Sequence, residues 1–168
     1  MESQLMLRIN QSVKGQLDEI IQGMQKMVAN FSVKTVDERS PLRNVLNTAI
    51  DPMSTLEVIK NYIRYQTGRK NHSKIWDKKY SQQYFADAVI QEIENLATYI
   101  DKVFTNTQQE LEQEINALEP DSGRRTQLEE LKTYFQKHQL RLRQELHLNL
   151  TQLYLGYLSR EHTATRGK

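Results

Sequence analysis

The sequence contains no cysteine, which excludes disulfide bonds, thiolate metal ligands and cysteine nucleophiles. Proline and glycine are also scarce, with 3 and 6 residues among 168, so few positions interrupt a helix. No apolar run approaches about 18 residues, and we therefore expect no membrane span. The first residues lack the basic start and apolar core of a signal peptide, so we expect a cytoplasmic location.

Residues that could carry catalysis are missing as well. The histidines form no i, i+4 pair and no Glu-x-x-His unit, and they are scattered at His72, His138, His147 and His162. The chain has no glycine-rich phosphate loop and no Gly-x-Ser-x-Gly motif. We expect a protein that is not an enzyme, with no catalytic residues, no metal site and no cofactor.

The hydrophobic content is 38%, which is low for a globular chain and typical of long helices with much solvated surface. Apolar residues recur at steps of three and four, the spacing of one helix face. The spacing predicts an all-α helical bundle with a long antiparallel C-terminal helical hairpin, in a single domain spanning residues 1–168. Its parts are an N-terminal helix at residues 1–30, paired short helices at residues 40–70, and the hairpin at residues 81–160, which turns at residues 119–123.

Two further expectations concern the packing of this bundle. Residues 30–39 are predicted to form a loop whose Phe31, Val33 and Val36 side chains pack on the bundle. From residue 146 to residue 158 the apolar side chains surround much of the last helix, too wide a face for one neighbour. Either the first helix and the central helices cover this face, or another protein chain does.

The central stretch carries two serine- or aspartate-proline pairs. Ser40 before Pro41 and Asp51 before Pro52 each match an N-cap followed by proline at the first helical position. A later start of the second helix would place a capping box at Ser54 and Glu57 instead. Thr67-Gly68 is predicted to end this helix in a left-handed conformation. The first of the two long helices of the C-terminal hairpin is predicted to begin at Ser81.

A cluster of positive charge begins in the second short helix. Between residues 58 and 86 the only acid is Asp77, and aromatic residues lie among the lysines and arginines: Tyr62, Tyr65, Trp76, Tyr80 and Tyr84. Cations that meet phosphates and rings that stack on bases suit a nucleic-acid strand. The alternative is a solvated helix face and a lysine-rich loop whose aromatic residues belong to the core. For Trp76 we favour an anchor in the core over a base-stacking role.

Negative charge is concentrated elsewhere. Although the formal net charge is only +2, residues 92–121 hold eight acids and one base, Lys102. An acidic helix and a basic cluster on one chain can orient it on a partner.

Two short motifs in the central stretch resemble the small all-helical subunit family of type III (Csm-type) CRISPR–Cas effector complexes. The first is Ser-Pro-Leu-Arg-Asn at residues 40–44, which resembles that family's Ser/Thr-x-Leu-Arg motif. The second is Tyr-Gln-Thr-Gly-Arg at residues 65–69, which resembles an aromatic residue followed by two variable residues and Gly-Arg. Lys60 and Arg64 lie on the helix that precedes it, and the resemblance covers about 30 residues.

The resemblance implies a subunit without catalytic activity. Copies of such a subunit stack beside the backbone filament of the complex, and their basic face lies along the guide–target RNA duplex. On this chain Arg43, Arg64 and Arg69 would contact phosphates, and the charge pattern adds Lys60, Lys70, Lys74, Lys78 and Lys79. Its partners would be RNA, the larger effector subunits and copies of itself, with no membrane.

Two alternatives remain open. In one, the chain is a homo-oligomeric helical interaction module without nucleic acid, in which the basic cluster of one copy meets the acidic helix of the next. In the other, it is an inhibitor or adaptor whose acidic face imitates nucleic acid.

Overall fold

The computed structural model describes residues 1–33 and 40–166, and these residues form an all-α helical bundle. Within this part of the chain lie α1 (Glu2–Phe31), α2 (Pro41–Ala49), α3 (Leu56–Gly68), α4 (Phe85–Asn116) and α5 (Gly123–Arg166). A 3₁₀ turn (Lys74–Asp77) and two strands, β1 (Lys79–Tyr80) and β2 (Gln83–Tyr84), connect α3 to α4. None of the described helices is both long and apolar enough to cross a membrane.

The contacts divide the chain into two units, and the first is a bundle of three helical segments. This three-helix unit comprises Met1–Asp18 of the N-terminal part and Ala97–Leu146. Its core is aromatic at the centre, where the Phe104 and Phe135 ring centroids lie 5.1 Å apart. Farther along α4, Glu112 pairs with Lys132, which lies earlier on α5 than Phe135 does. Because α4 and α5 pair in opposite chain order, they form the predicted antiparallel hairpin.

The second unit contains the short elements. This central unit comprises Glu19–Leu96 and His147–Lys168. Here the α5 side chains meet two different helices: the Gln152 amide donates to the Ala49 carbonyl of α2 at 2.9 Å, and the Tyr154 hydroxyl approaches the Met27 sulfur of α1 at 3.9 Å. Most of the wide apolar face of α5 is therefore covered by the chain itself, the first of the two alternatives, while Leu153 stays exposed. Phe31 and Val33 are buried as predicted, whereas Val36 lies outside the described residues.

The first predicted helix cap of the central stretch is confirmed and the second is wrong. The Ser40 hydroxyl accepts a hydrogen bond from the Arg43 backbone N–H, and Pro41 opens α2. Asp51 instead accepts from the Met53 N–H in a tight turn, and the α3 N-cap is Thr55. Aspartate forms such a turn as readily as a cap, so the dipeptide alone does not distinguish them.

Three predicted helix boundaries also move. Gly68 stays helical and Asn71 takes the left-handed conformation, with φ of 59°. The first helix of the C-terminal hairpin, α4, starts at Phe85 rather than Ser81. Ser81 and Gln82 (φ 47° and 63°) instead form a two-residue turn between β1 and β2. At its C-terminal end α5 continues past residue 160 to Arg166, and His162 is fully buried.

Candidate nucleic-acid interface

The eight cations predicted to contact RNA all belong to the central unit. Arg43 lies on α2 and Lys60 and Arg64 on α3, while the others follow the end of α3 into the 3₁₀ turn and the hairpin: Arg69, Lys70, Lys74, Lys78 and Lys79. Six of the eight, all but Arg43 and Lys60, lie within residues 64–79, which we call the basic segment. Arg43 forms no hydrogen bond or ring contact with the other seven within the described residues.

Lys60 differs from the rest because carboxylates already surround its ammonium group. Its Nζ lies 2.6 Å from Glu57 and 3.0 Å from Glu94, and its side chain is only 12% exposed. The hydrogen bonds to Glu57 and Glu94 raise the pKa of Lys60, and the same contact lowers the pKa of Glu57. Of the eight cations, Lys60 is thus the least available for a phosphate.

Arg64, Lys70 and Lys74 are exposed, and none of them pairs with a carboxylate among the described residues. The sequence explains this, since residues 58–86 contain seven lysines and arginines but one acid. Arg64 contributes to the lowered pKa of Glu57, but none of the three forms a salt bridge among the described residues, so a phosphate chain can displace the solvent ions around them.

Arg69 extends a row of aromatic rings on α3. Its guanidinium lies 5.7 Å from the Tyr65 ring centroid, and the Tyr65 and Tyr62 rings are 5.9 Å apart. Tyr62 and Tyr65 are three residues apart on one face of α3, and Arg69 follows directly after the end of this helix. Tyr65 is 58% exposed, which leaves one side of this row open to a base.

The single acid of the basic segment is held by a histidine. His72 Nε2 lies 2.7 Å from an Asp77 carboxylate oxygen, and His72 Nδ1 lies 2.9 Å from the Arg69 carbonyl oxygen. Both ring nitrogens face acceptors, so the doubly protonated ring fits best. The Arg69 carbonyl and then Asp77 raise the pKa of His72. This pairing occupies Asp77 and links the end of α3 to the 3₁₀ turn.

The end of the basic segment rests on a buried aromatic cluster. Trp76 is 1% exposed, and its ring lies 6.0 Å from the Phe85 ring in a stacked arrangement. It therefore anchors the segment in the core, as predicted, and presents no face to a base. Lys78 is half-buried, whereas Lys79 is exposed and places its ammonium 4.4 Å from the Tyr84 ring centroid.

Several acids of residues 92–121 are already paired within their own unit. In the three-helix unit Arg8 binds Glu114 through two hydrogen bonds of 2.6 and 2.9 Å, Lys132 binds Glu112, and Arg143 contacts Asp101. In the central unit Glu94 binds Lys60. Half of the eight acids of this stretch are therefore compensated by cations of the same chain.

The chain matches no protein-family model, and no curated protein or solved structure is significantly similar to it. The resemblance of residues 40–44 and 65–69 to type III CRISPR–Cas small subunits therefore stays a prediction.

The sequence pattern located the cations but missed the groups that position them. His72 and Asp77 are five residues apart and come together only through the turn at Asn71, a spacing that no helical rule selects. The row of Tyr62, Tyr65 and Arg69 does follow the helical spacing, so the periodicity could have identified it.

Proposed function

We propose that this protein is a non-catalytic RNA-binding subunit of a ribonucleoprotein complex. The observation that carries the proposal is the basic segment, in which exposed Arg64, Lys70 and Lys74 have no carboxylate partner among the described residues. Unpaired cations repel each other and contribute nothing to the fold by themselves, so an external polyanion is the simplest reason for their concentration. The phosphates of an RNA strand supply that charge at regular spacing.

The contacts proposed for RNA follow from exposure and geometry. Arg64, Lys70 and Lys74 bind phosphates, Arg69 combines a phosphate contact with the Tyr65 ring, and Lys79 acts from the hairpin. Arg43 contributes from α2, and half-buried Lys78 only at the margin. Lys60 acts indirectly, because its pair with Glu94 connects α3 to α4.

The resemblance of residues 40–44 and 65–69 selects one kind of complex within this class. On that basis we propose the small subunit of a type III (Csm-type) CRISPR effector complex, bound to guide and target RNA, to larger effector subunits and to further copies of itself. The proposal rests on two short motifs, and the RNA-binding role stands independently of it.

The two alternatives both need an acidic surface, and four of the eight acids of residues 92–121 are already ion-paired within the chain. A homo-oligomer joined by basic and acidic faces requires free carboxylates for the basic segment of the next copy. A nucleic-acid mimic requires a dense row of free carboxylates. Glu94, Asp101, Glu112 and Glu114 are engaged within the chain, so both alternatives are weaker than RNA binding.

Charge reversal tests the proposal. The variant Arg64→Glu/Arg69→Glu should bind a labelled single-stranded RNA roughly tenfold or more weakly than the wild type, since two phosphate contacts become repulsive. The matched control is Lys14→Glu/Lys137→Glu, which makes the same change in net charge at two exposed positions of the three-helix unit. Fluorescence anisotropy measures the affinity, and circular dichroism melting checks that all three proteins fold.

Salt gives the same experiment a second readout. Six phosphate contacts on a single strand predict about a 300-fold loss of affinity between 50 and 200 mM salt, and the double variant should show a shallower slope. Tagged purification of the same proteins from the host should recover RNA and partner proteins with the wild type and the control. Equal RNA affinity in all three proteins contradicts the site, and recovery of the protein as a salt-sensitive oligomer without RNA favours the interaction module.

A further inference from the structure

A groove between α2 and α3 lies beside the proposed phosphate contacts. Its cavity volume is about 530 Å³, and side chains of both helices and of the turn between them line it. The α2 wall presents Asn44 and Asn47, and the α3 wall presents Val58 and Tyr62. All of these residues belong to the central unit, and the helices that carry them pack directly against each other.

One polar group in the groove has no partner within the protein. Ser54 lines the cavity, is only 6% exposed, and its hydroxyl forms no hydrogen bond among the described residues. A buried hydroxyl without a partner is unfavourable, because it has lost its hydrogen bonds to water and gained none. The fold therefore leaves one hydroxyl beside the groove without a hydrogen-bond partner among the described residues.

The remaining polar groups are suited to the edge of a nucleobase. The Asn44 and Asn47 carboxamides each offer donors and an acceptor, and Asp51 spends one carboxylate oxygen on the Met53 N–H at 2.8 Å. Its second oxygen has no partner among the described residues and can accept from an exocyclic amino group. Carboxamides and carboxylates are the side chains that read base edges in nucleic-acid complexes.

The apolar walls fit the faces of the same ligand. Tyr62 provides an aromatic ring, and Met53, 85% exposed, provides a flexible apolar side chain at the mouth. Tyr62 is also the first residue of the row that continues through Tyr65 to Arg69. On the α2 side, Arg43 is one turn from Asn47. A base in the groove would thus have cations available on both sides for its flanking phosphates.

We propose that the α2–α3 groove binds an unpaired nucleobase of RNA, with preference for a base that carries an amino group. This inference rests on the proposed RNA-binding function and adds base recognition to the phosphate contacts of the same site. The phosphate contacts supply affinity that does not depend on the RNA sequence. The groove makes binding depend on the presence of a base.

Three labelled RNA octamers test the groove on the full chain: oligocytidine, oligouridine and an abasic ribose-phosphate strand. The wild type should bind oligocytidine roughly fivefold or more tightly than the abasic strand, with oligouridine between them, because stacking and edge contacts need a base. The variant Asn44→Ala/Asn47→Ala should lose the preference for oligocytidine over oligouridine, whereas stacking on Tyr65 and the salt dependence of the wild type remain. Asn61→Ala, an exposed asparagine of α3 outside the groove, is the matched control and should leave the base preference intact.

The outcomes separate this inference from the proposed function. Equal wild-type affinity for oligocytidine and the abasic strand, with a steep salt dependence, overturns the groove and leaves phosphate binding in place. A preference for oligocytidine over oligouridine that survives in Asn44→Ala/Asn47→Ala also overturns the groove assignment. Loss of a co-purifying protein from this variant, with unchanged RNA affinity, reassigns the groove to a protein partner. Failure of all three octamers to bind the wild type overturns both proposals.

Discussion

Positive charge is used in opposite ways in two regions of this molecule. In the three-helix unit, arginine and lysine pair with carboxylates of neighbouring segments: Arg8 with Glu114, Lys132 with Glu112, and Arg143 with Asp101. In the basic segment of the central unit, Arg64, Lys70 and Lys74 have no such partner among the described residues.

The comparison shows that a cation is free to bind a partner where few carboxylates lie nearby. The number of cations alone does not decide this. Ion pairs on a solvated helix surface contribute little stability each, but they do cancel the field that a distant anion would sense. The basic segment, with six lysines and arginines and one acid, keeps its field, and the one acid, Asp77, is occupied by His72. Each of the following predictions alters one side of this contrast.

The largest expected effect comes from removing the support under the basic segment. Trp76→Ala should lower the free energy of unfolding by about 3–5 kcal/mol, because a fully buried ring that stacks on Phe85 is lost. Phe135→Ala in the three-helix unit is the matched control, with a similar cost. Urea denaturation measures both values.

The two variants should differ in RNA binding at a temperature where both are folded. Trp76→Ala should bind RNA more weakly, since the turn that carries Lys74 and Lys78 loses its anchor, whereas Phe135→Ala should bind like the wild type. Undiminished RNA affinity in folded Trp76→Ala would show that the contacts do not depend on the order of this segment.

The helices and the core could be predicted because they follow from a repeated pattern. Steps of three and four located α1, the hairpin of α4 and α5, and the covered face of α5, since burial on one face imposes that spacing. A single proline or glycine gave weaker information. Asp51-Pro52 formed a turn instead of a cap, and Asn71 rather than Gly68 took the left-handed conformation.

The candidate site divides in the same way. Its cations were found because charge content is a property of the sequence alone. Whether each cation is available to a ligand could not be predicted, since the pairing of Lys60 with Glu94 joins residues 34 apart. The unpartnered hydroxyl of Ser54 could not be predicted either, because Ser54 loses its partners only when α2 packs on α3. Such features depend on tertiary contacts between residues that are distant in the sequence. Because these residues are not related by helical spacing, no pattern in the sequence reveals the contacts.

A smaller effect is expected from breaking an ion pair in the three-helix unit. Arg8→Met keeps the packing of the side-chain stem but removes both hydrogen bonds to Glu114, and should cost about 1 kcal/mol of stability at neutral pH. RNA affinity should not change, because Arg8 lies outside the proposed interface. Lys14→Met, at an exposed position without an ion pair among the described residues, should leave both quantities unchanged.

The pH dependence identifies the cause of that loss. The Arg8 guanidinium lowers the pKa of Glu114 below its ordinary value of 4.5, so the folded state favours the ionised carboxylate. The stabilisation is therefore present above about pH 4.5 and disappears as the pH falls through the lowered value. Wild type and Arg8→Met should converge in stability at acidic pH, and a constant difference would indicate lost packing instead of lost charge.

The smallest effect concerns His72, which links both sides of the comparison. Its pKa is raised above the ordinary 6.5 by the Arg69 carbonyl and Asp77, so protonation stabilises the folded state. This contribution is complete below pH 6.5 and is lost as the pH rises through the raised value. Because the partner carboxylate of Asp77 is more than half exposed, solvent screens the pair, and the stability difference between wild type and His72→Ala should stay under about 1 kcal/mol.

RNA binding should follow the same pH window. A protonated His72 adds a positive charge to the basic segment and holds Asp77, the only carboxylate there, so deprotonation both removes a cation and releases an anion. Wild-type RNA affinity should therefore decline from pH 6 to pH 8.5, while His72→Ala should bind more weakly and show little change over that range. Titration of the His72 ring by NMR gives the pKa independently. A value at or below 6.5 would mean that Asp77 is not neutralised by this ring, and the basic segment would then carry a free carboxylate like the acids that the three-helix unit must pair.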